Sequence, residues 1–150
     1  MSSKETRLYN IFFPIWMILL MPTAWMVALP INFIVDSIVI LISMRAMKIA
    51  NKKTLYKKSI LKVWIFGFIA DIIGALCIFG AMYFFKLDIR GDELFLTIPA
   101  LLISAIFIFI FNYAISFKSY EKGTRLRMAM HLAIFTAPYT FMIPLNWIYY

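Results

Sequence analysis

Charged residues divide the chain into four apolar stretches, 11–44, 63–85, 94–117 and 128–150, interrupted only by Asp36, Asp71 and His131. The last three contain 23, 24 and 23 residues. About 20 helical residues, rising 1.5 Å each, cross a hydrocarbon core of about 30 Å. Each of these stretches therefore predicts one membrane span. The first holds 34 residues, which as one straight helix would measure about 50 Å, too long for a single perpendicular crossing. Pro14, Pro22 and Pro30 are the positions at which it can break, because proline removes a backbone donor and clashes with the preceding turn.

With Pro30 placed in a first turn, where proline is tolerated, the spans expected are 30–47, 63–85, 94–117 and 128–149. Residues 9–29 then form either a fifth span or a re-entrant element. No polar turn separates Leu29 from Ile31, which argues against a separate crossing, since lipid-exposed unpaired backbone is not tolerated. The fold class is all-α. It is a polytopic integral membrane bundle of four transmembrane helices plus a Pro-broken N-terminal segment, in a single membrane domain covering 1–150.

Positive charge sets the direction. Residues 45–62 carry Arg45, Lys48, Lys52, Lys53, Lys57, Lys58 and Lys62 without an acid, and 118–127 carry Lys118, Lys122, Arg125 and Arg127 against Glu121. Both read as cytoplasmic loops. Residues 86–93, with two bases and three acids, read as external, which leaves the C-terminus external as well. Tyr56, Trp64, Tyr113 and Tyr120 fall near the inner boundary and Tyr83, Trp147, Tyr149 and Tyr150 near the outer one, as interfacial aromatics do.

Composition agrees with lipid as the solvent. Hydrophobic residues make up 64% of the 150 and charged residues 15%, against roughly 45–50% apolar in a soluble domain. Lysine clusters also mark nucleic-acid binders, but topology and anionic headgroups account for these, and no nucleic-acid partner is expected. The use of Ile and Lys, whose codons suit AT-rich genomes, and the lack of an organelle-targeting segment suggest a bacterial plasma membrane.

The polar residues inside the spans carry whatever chemistry the chain has, since a charge in hydrocarbon costs about 2.5–3.5 kcal/mol on insertion scales. Asp36 lies nine residues before Arg45, and Asp71 nine residues after Lys62. Both are therefore about 13 Å from the cytoplasmic boundary, near mid-membrane. Asn32 lies one turn from Asp36 on the same helical face. Gly67, Ala70, Gly74, Cys77 and Ala81 recur at spacings of three and four, a small-residue seam that lets another helix approach closely and bring Asp36, Asn32 and Asp71 together. Asn112, with Ser104 and Ser116, either lines the same cavity or bridges helices. His131, four residues after Arg127, belongs at the solvated inner interface. Pro30-Ile31-Asn32-Phe33-Ile34 is echoed by Pro144-Leu145-Asn146-Trp147-Ile148, a pattern compatible with duplication or with chance.

Several function classes are excluded by what is missing. No phosphate loop or nucleophile motif is present, and one His and one Cys do not build a zinc site. Neither a metal nor a cofactor is expected. An intramembrane aspartyl protease would use two Asp, but Ile34-Val35-Asp36-Ser37 and Ile69-Ala70-Asp71-Ile72 lack that family's Gly-rich and Tyr-Asp signatures, so the chain is not read as an enzyme. An oxygen-rich group of Asp36, Asp71, Asn32 and Asn112 suits a small cation or a proton. That favours a secondary transporter or ion-conducting protein. The alternative is a non-transporting accessory or scaffold subunit. On either reading the chain's expected partners are the lipid bilayer and either further copies of itself or another membrane protein.

Overall fold

The computed structural model describes residues 22–86 and 89–142, with the side chains of 24, 89–94 and 140 left aside. Four helices account for nearly all of it: α1 (Pro22–Ala46), α2 (Lys52–Phe85), α3 (Ile89–Phe111) and α4 (Lys122–Phe135). A π-helical turn, Asn112–Ser116, prolongs α3, and a 3-10 turn, Tyr139–Met142, follows α4. No strand occurs among the described residues. Three helical segments, Trp25–Ala46, Lys52–Phe85 and Phe95–Ser116, are long and apolar enough to cross a membrane. Their outward faces carry Met26, Ile34, Ile42, Leu76, Phe79 and Ile106, all exposed, as lipid-facing surfaces do.

Both ends of the predicted bundle require correction. α1 does not begin at Pro30: it runs unbroken from Pro22 through Pro30 to Ala46, so residues 22–29 are the first turns of the first span. What remains of the undecided N-terminal segment, residues 9–21, lies outside the described residues. Proline is tolerated inside a membrane helix when neighbours bond the backbone it disturbs. Here the Trp64 indole of α2 donates to the Leu29 carbonyl at 2.8 Å, the carbonyl of the peptide bond to Pro30. Phe33 meets the Trp64 ring edge-on at 5.8 Å and Trp25 meets Phe68 at 5.3 Å, which clamps α1 onto α2. Trp64→Phe, which keeps the ring contacts and deletes the N–H, is expected to lower unfolding stability by about 1 kcal/mol. Denaturant titration in one detergent checks this, and an unchanged midpoint would show that the Leu29 carbonyl does not need the bond.

The last span is not one helix. α4 begins at Lys122 and stops at Phe135 after 14 residues, about 21 Å, short of a crossing. A proline disfavours helical backbone at the residue before it, and the chain leaves the helix at Thr136 and Ala137, just ahead of Pro138. Residues 143–149 of the predicted span, and with them the second copy of the Pro-Leu-Asn pattern and the C-terminus, lie outside the described residues. Among the described residues three helices are long and apolar enough to cross, where four spans were expected.

The basic segments are also more helical than predicted. Lys52 to Lys62 form the first three turns of α2, a helix of 34 residues and about 51 Å, so its basic end extends beyond the hydrocarbon. Lys52, Lys53, Lys57, Lys58 and Lys62 are exposed there, while Leu55, Ser59 and Ile60 are buried. The 118–127 segment likewise enters α4 at Lys122. Two of the helix connections, 47–51 and 117–121, lie at this basic end.

Candidate functional site

Asp36 is buried at 4% exposure and Asp71 at 6%, and the two line one cavity of about 20 Å³ with Asn32, Val35, Gly67 and Thr136. That volume accommodates roughly one water-sized body. Each wall follows from a local choice in the sequence. On α1, Asn32 and Asp36 are one turn apart and share the face turned to α2. On α2, Gly67 lets the Asp36 carboxylate lie against the helix: a Cβ there would sit 3.5 Å from Asp36 Oδ2. One turn further along α2, Asp71 shares this face.

Asp71 is held from two sides. The Ser104 hydroxyl of α3 donates to its Oδ1 at 2.8 Å, and the Asn32 amide donates to its Oδ2 at 3.4 Å. Thr136 closes the fourth side because α4 ends there. Its hydroxyl donates to the Leu132 carbonyl at 2.8 Å, and the negative end of the α4 dipole faces the cavity. Among the described residues no basic side chain acts on either carboxyl group. Two acidic groups and a helix C-terminus therefore give this pocket a field that attracts positive charge. No three His, Cys, Asp or Glu residues converge among the described residues to hold a metal ion.

The residues singled out in the sequence are placed unequally. Asn32, Asp36 and Asp71 meet, but Asn112 does not join them. It lies two turns beyond Ser104 along the same helix, fully buried, with its amide donating to the Ile108 carbonyl at 2.8 Å and its Oδ1 without a partner among the described residues. The Oγ of Ser116, one turn further, also has none. Eight residues of helix, about 12 Å, separate Asn112 from Ser104, too far for one small cavity. His131 is half-buried rather than solvated, with Nδ1 2.9 Å from the Ser43 hydroxyl.

The small-residue seam is split between two neighbours. Gly67 faces α1 at Asp36, whereas Gly74 faces α3, where a Cβ would lie 3.1 Å from both the Ala100 carbonyl oxygen and Ser104 Cβ. Ala70 is buried, Ala81 half-buried and Cys77 exposed. Thr136 is the site residue that sequence reasoning missed. Its only signal was a hydroxyl two residues before Pro138, where a helix is prone to stop. Compared with known protein families, with curated proteins and with solved structures, the chain matches none.

Proposed function

We propose that the chain is a small secondary transporter or ion-conducting protein in which Asp36 and Asp71 bind a small cation or a proton at mid-membrane. The observation that carries this reading is the sharing of one 20 Å³ cavity by two carboxyl groups, with no basic partner among the described residues. Two such groups in hydrocarbon call for a positive charge between them. Asn32 and Thr136, which line the cavity, add neutral oxygens, the ligand chemistry that hard cations use.

Positive-inside orientation favours the basic end, 45–62 and 118–127, in the cytoplasm of a plasma membrane, with the Ile- and Lys-rich composition favouring a bacterial one. An accessory subunit could use the small-residue seam to dock a larger membrane partner. Gly67, Ala70 and Gly74 are covered by the chain's own helices, which leaves that reading less support.

The test is flux into proteoliposomes under imposed Na⁺, K⁺ and pH gradients, comparing the parent with the Asp36→Asn/Asp71→Asn double variant. Flux of at least one ion is expected for the parent, with a loss of at least about 100-fold in the variant, since moving the ion would lose both charged ligands. Equal flux from both folded proteins would sink the proposal, and no flux from either would move the balance to the accessory subunit.

A further inference from the structure

Following the chain one turn in each direction from the cavity reveals two different closures. Toward the basic end, Ile40 follows Asp36, Val63 precedes Gly67, Ile108 follows Ser104 and Leu132 precedes Thr136, each by four residues. Helical residues four apart are stacked neighbours, so these four side chains form one layer, with one contributed by each helix. All four are at most 1% exposed and belong to one apolar cluster. A turn beyond it lies the level of Met44, Ser59, Asn112 and Met128, all buried.

On the opposite side the next turn offers Gly74 and Ala75 from α2 and Ala100 from α3, none with a large side chain. The Phe141 ring fills this space. It is 2% exposed and packs in a cluster with Ala75, Ile78, Leu96 and Ala100. Gly74 makes room for it: a Cβ at that position would be 3.0 Å from Phe141 Cε2. The same Gly74 abuts Ser104, the residue that bonds Asp71, so the ring lies one side chain away from a carboxyl group that lines the cavity.

The two closures differ in how they are anchored. Three of the four layer residues sit on helices of 25, 34 and 23 residues, and Leu132 sits inside the 14-residue α4. Phe141 sits on a four-residue 3-10 turn, tied back by its own N–H to the Pro138 carbonyl at 2.9 Å. It is separated from α4 by the non-helical residues Thr136 to Pro138. Short non-helical connections absorb the backbone rotations by which gates move.

We infer that Phe141 is the movable gate of the Asp36–Asp71 cavity on the side away from the basic end, and that the Ile40–Val63–Ile108–Leu132 layer is the fixed seal on the other. This rests on the proposed function, in which the cavity must exchange its ion with water. Swinging the 3-10 turn about Thr136–Pro138 lifts one ring from Gly74 and opens a path to Ser104 and Asp71. It also shifts Thr136, which lines the cavity, so opening and loss of an ion ligand are one motion.

The test needs no knowledge of the transported ion. In a Cys77→Ser background, which removes the exposed native thiol, Ser104→Cys places a reporter thiol under the ring. Its modification rate by 2-(trimethylammonium)ethyl methanethiosulfonate is read in nanodiscs, with monodisperse elution as the fold check. Adding Phe141→Ala is expected to raise the rate by at least about tenfold, because the ring packed against Gly74 beside Ser104 is gone. Phe141→Leu, which keeps an apolar plug, should stay within about threefold of the reference, and so should Ile108→Ala, which leaves three of four seal residues in place. Should Phe141→Ala fail to elute as a folded species, Phe141→Val carries the same comparison. An unchanged rate in the folded Phe141 variant overturns the gate, and an equal rise with Ile108→Ala overturns the assignment of fixed and movable closures. Absence of flux in the parent, with the labelling pattern as expected, would leave the gate standing and remove the transport reading instead.

Discussion

Gly74→Leu is expected to abolish recovery of folded protein, whereas Gly67→Ala, seven residues earlier on the same helix, should fold normally. At Gly74 even the first added carbon meets three atoms at once: Phe141 Cε2 at 3.0 Å, the Ala100 carbonyl oxygen at 3.1 Å and Ser104 Cβ at 3.1 Å. The Phe141 ring can swing away, but the Ala100 oxygen is backbone and moves only if α3 moves. Overpacking of this kind costs about 1–3 kcal/mol for a small addition. A leucine adds three further carbons between helices already in van der Waals contact, and a cost above about 4 kcal/mol places it among the most disruptive substitutions. At Gly67 the nearest atom to a new Cβ is Asp36 Oδ2 at 3.5 Å, an ordinary contact. Gly67→Ala should therefore stay within about 1 kcal/mol of the parent while its methyl takes up part of the 20 Å³ cavity and lowers flux. Monodisperse yield after detergent extraction, followed by denaturant titration of whatever elutes, separates the two. A Gly74→Leu protein recovered at parental yield and stability would show that this glycine does not set the α2–α3 spacing.

The same comparison shows what in this fold was legible from sequence. Apolar runs bounded by lysine and arginine located three helices, because in lipid the hydrocarbon thickness fixes length and charge fixes the ends. Counting residues from those ends put Asp36 and Asp71 at one depth, and the structure puts them in one cavity. Prolines were ambiguous because the residue alone does not decide. Pro30 sits inside a continuous helix beside Trp64, which bonds the adjoining carbonyl, while Pro138 follows a helix that has already ended. That difference lies in partners distant in sequence.

Asn112, left open between the cavity and a packing role, could not be placed from sequence for a related reason. It shares a helical face with Ser104, but helical periodicity reports the face and not the depth, and the two are about 12 Å apart along the axis. The basic segments were read as loops from their charge. Residues 52–62 contain no Gly or Pro and lysine is a good helix former, so α2 simply continues past the membrane boundary. Thr136 was hidden because its role depends on where α4 stops, and a single polar residue in an apolar stretch does not announce that.

Removing both carboxylates is expected to stabilise the protein while it loses flux, and this separates a functional pair from a structural one. Each aspartate in hydrocarbon costs about 2.5–3.5 kcal/mol on insertion scales. Asp71 recovers part of that through the Ser104 and Asn32 bonds, but among the described residues neither carboxyl group has a basic partner. Asparagine keeps the shape and an acceptor oxygen for the Ser104 hydroxyl, and it removes both the desolvated charge and the mutual repulsion. An uncompensated buried charge costs about 3–5 kcal/mol, less where the group takes up a proton instead, so Asp36→Asn/Asp71→Asn should stabilise the fold by at least about 1 kcal/mol. The apparent melting temperature of parent and double variant, scanned at one rate in one detergent because such transitions are commonly irreversible, reads the effect directly. A higher melting temperature combined with lost flux means that the chain carries two costly acids for what they bind, the trade expected of an active site. A lower one means that the carboxylates serve chiefly to anchor Ser104, Asn32 and their helices, and the case for an ion site at Asp36 and Asp71 loses its physical basis.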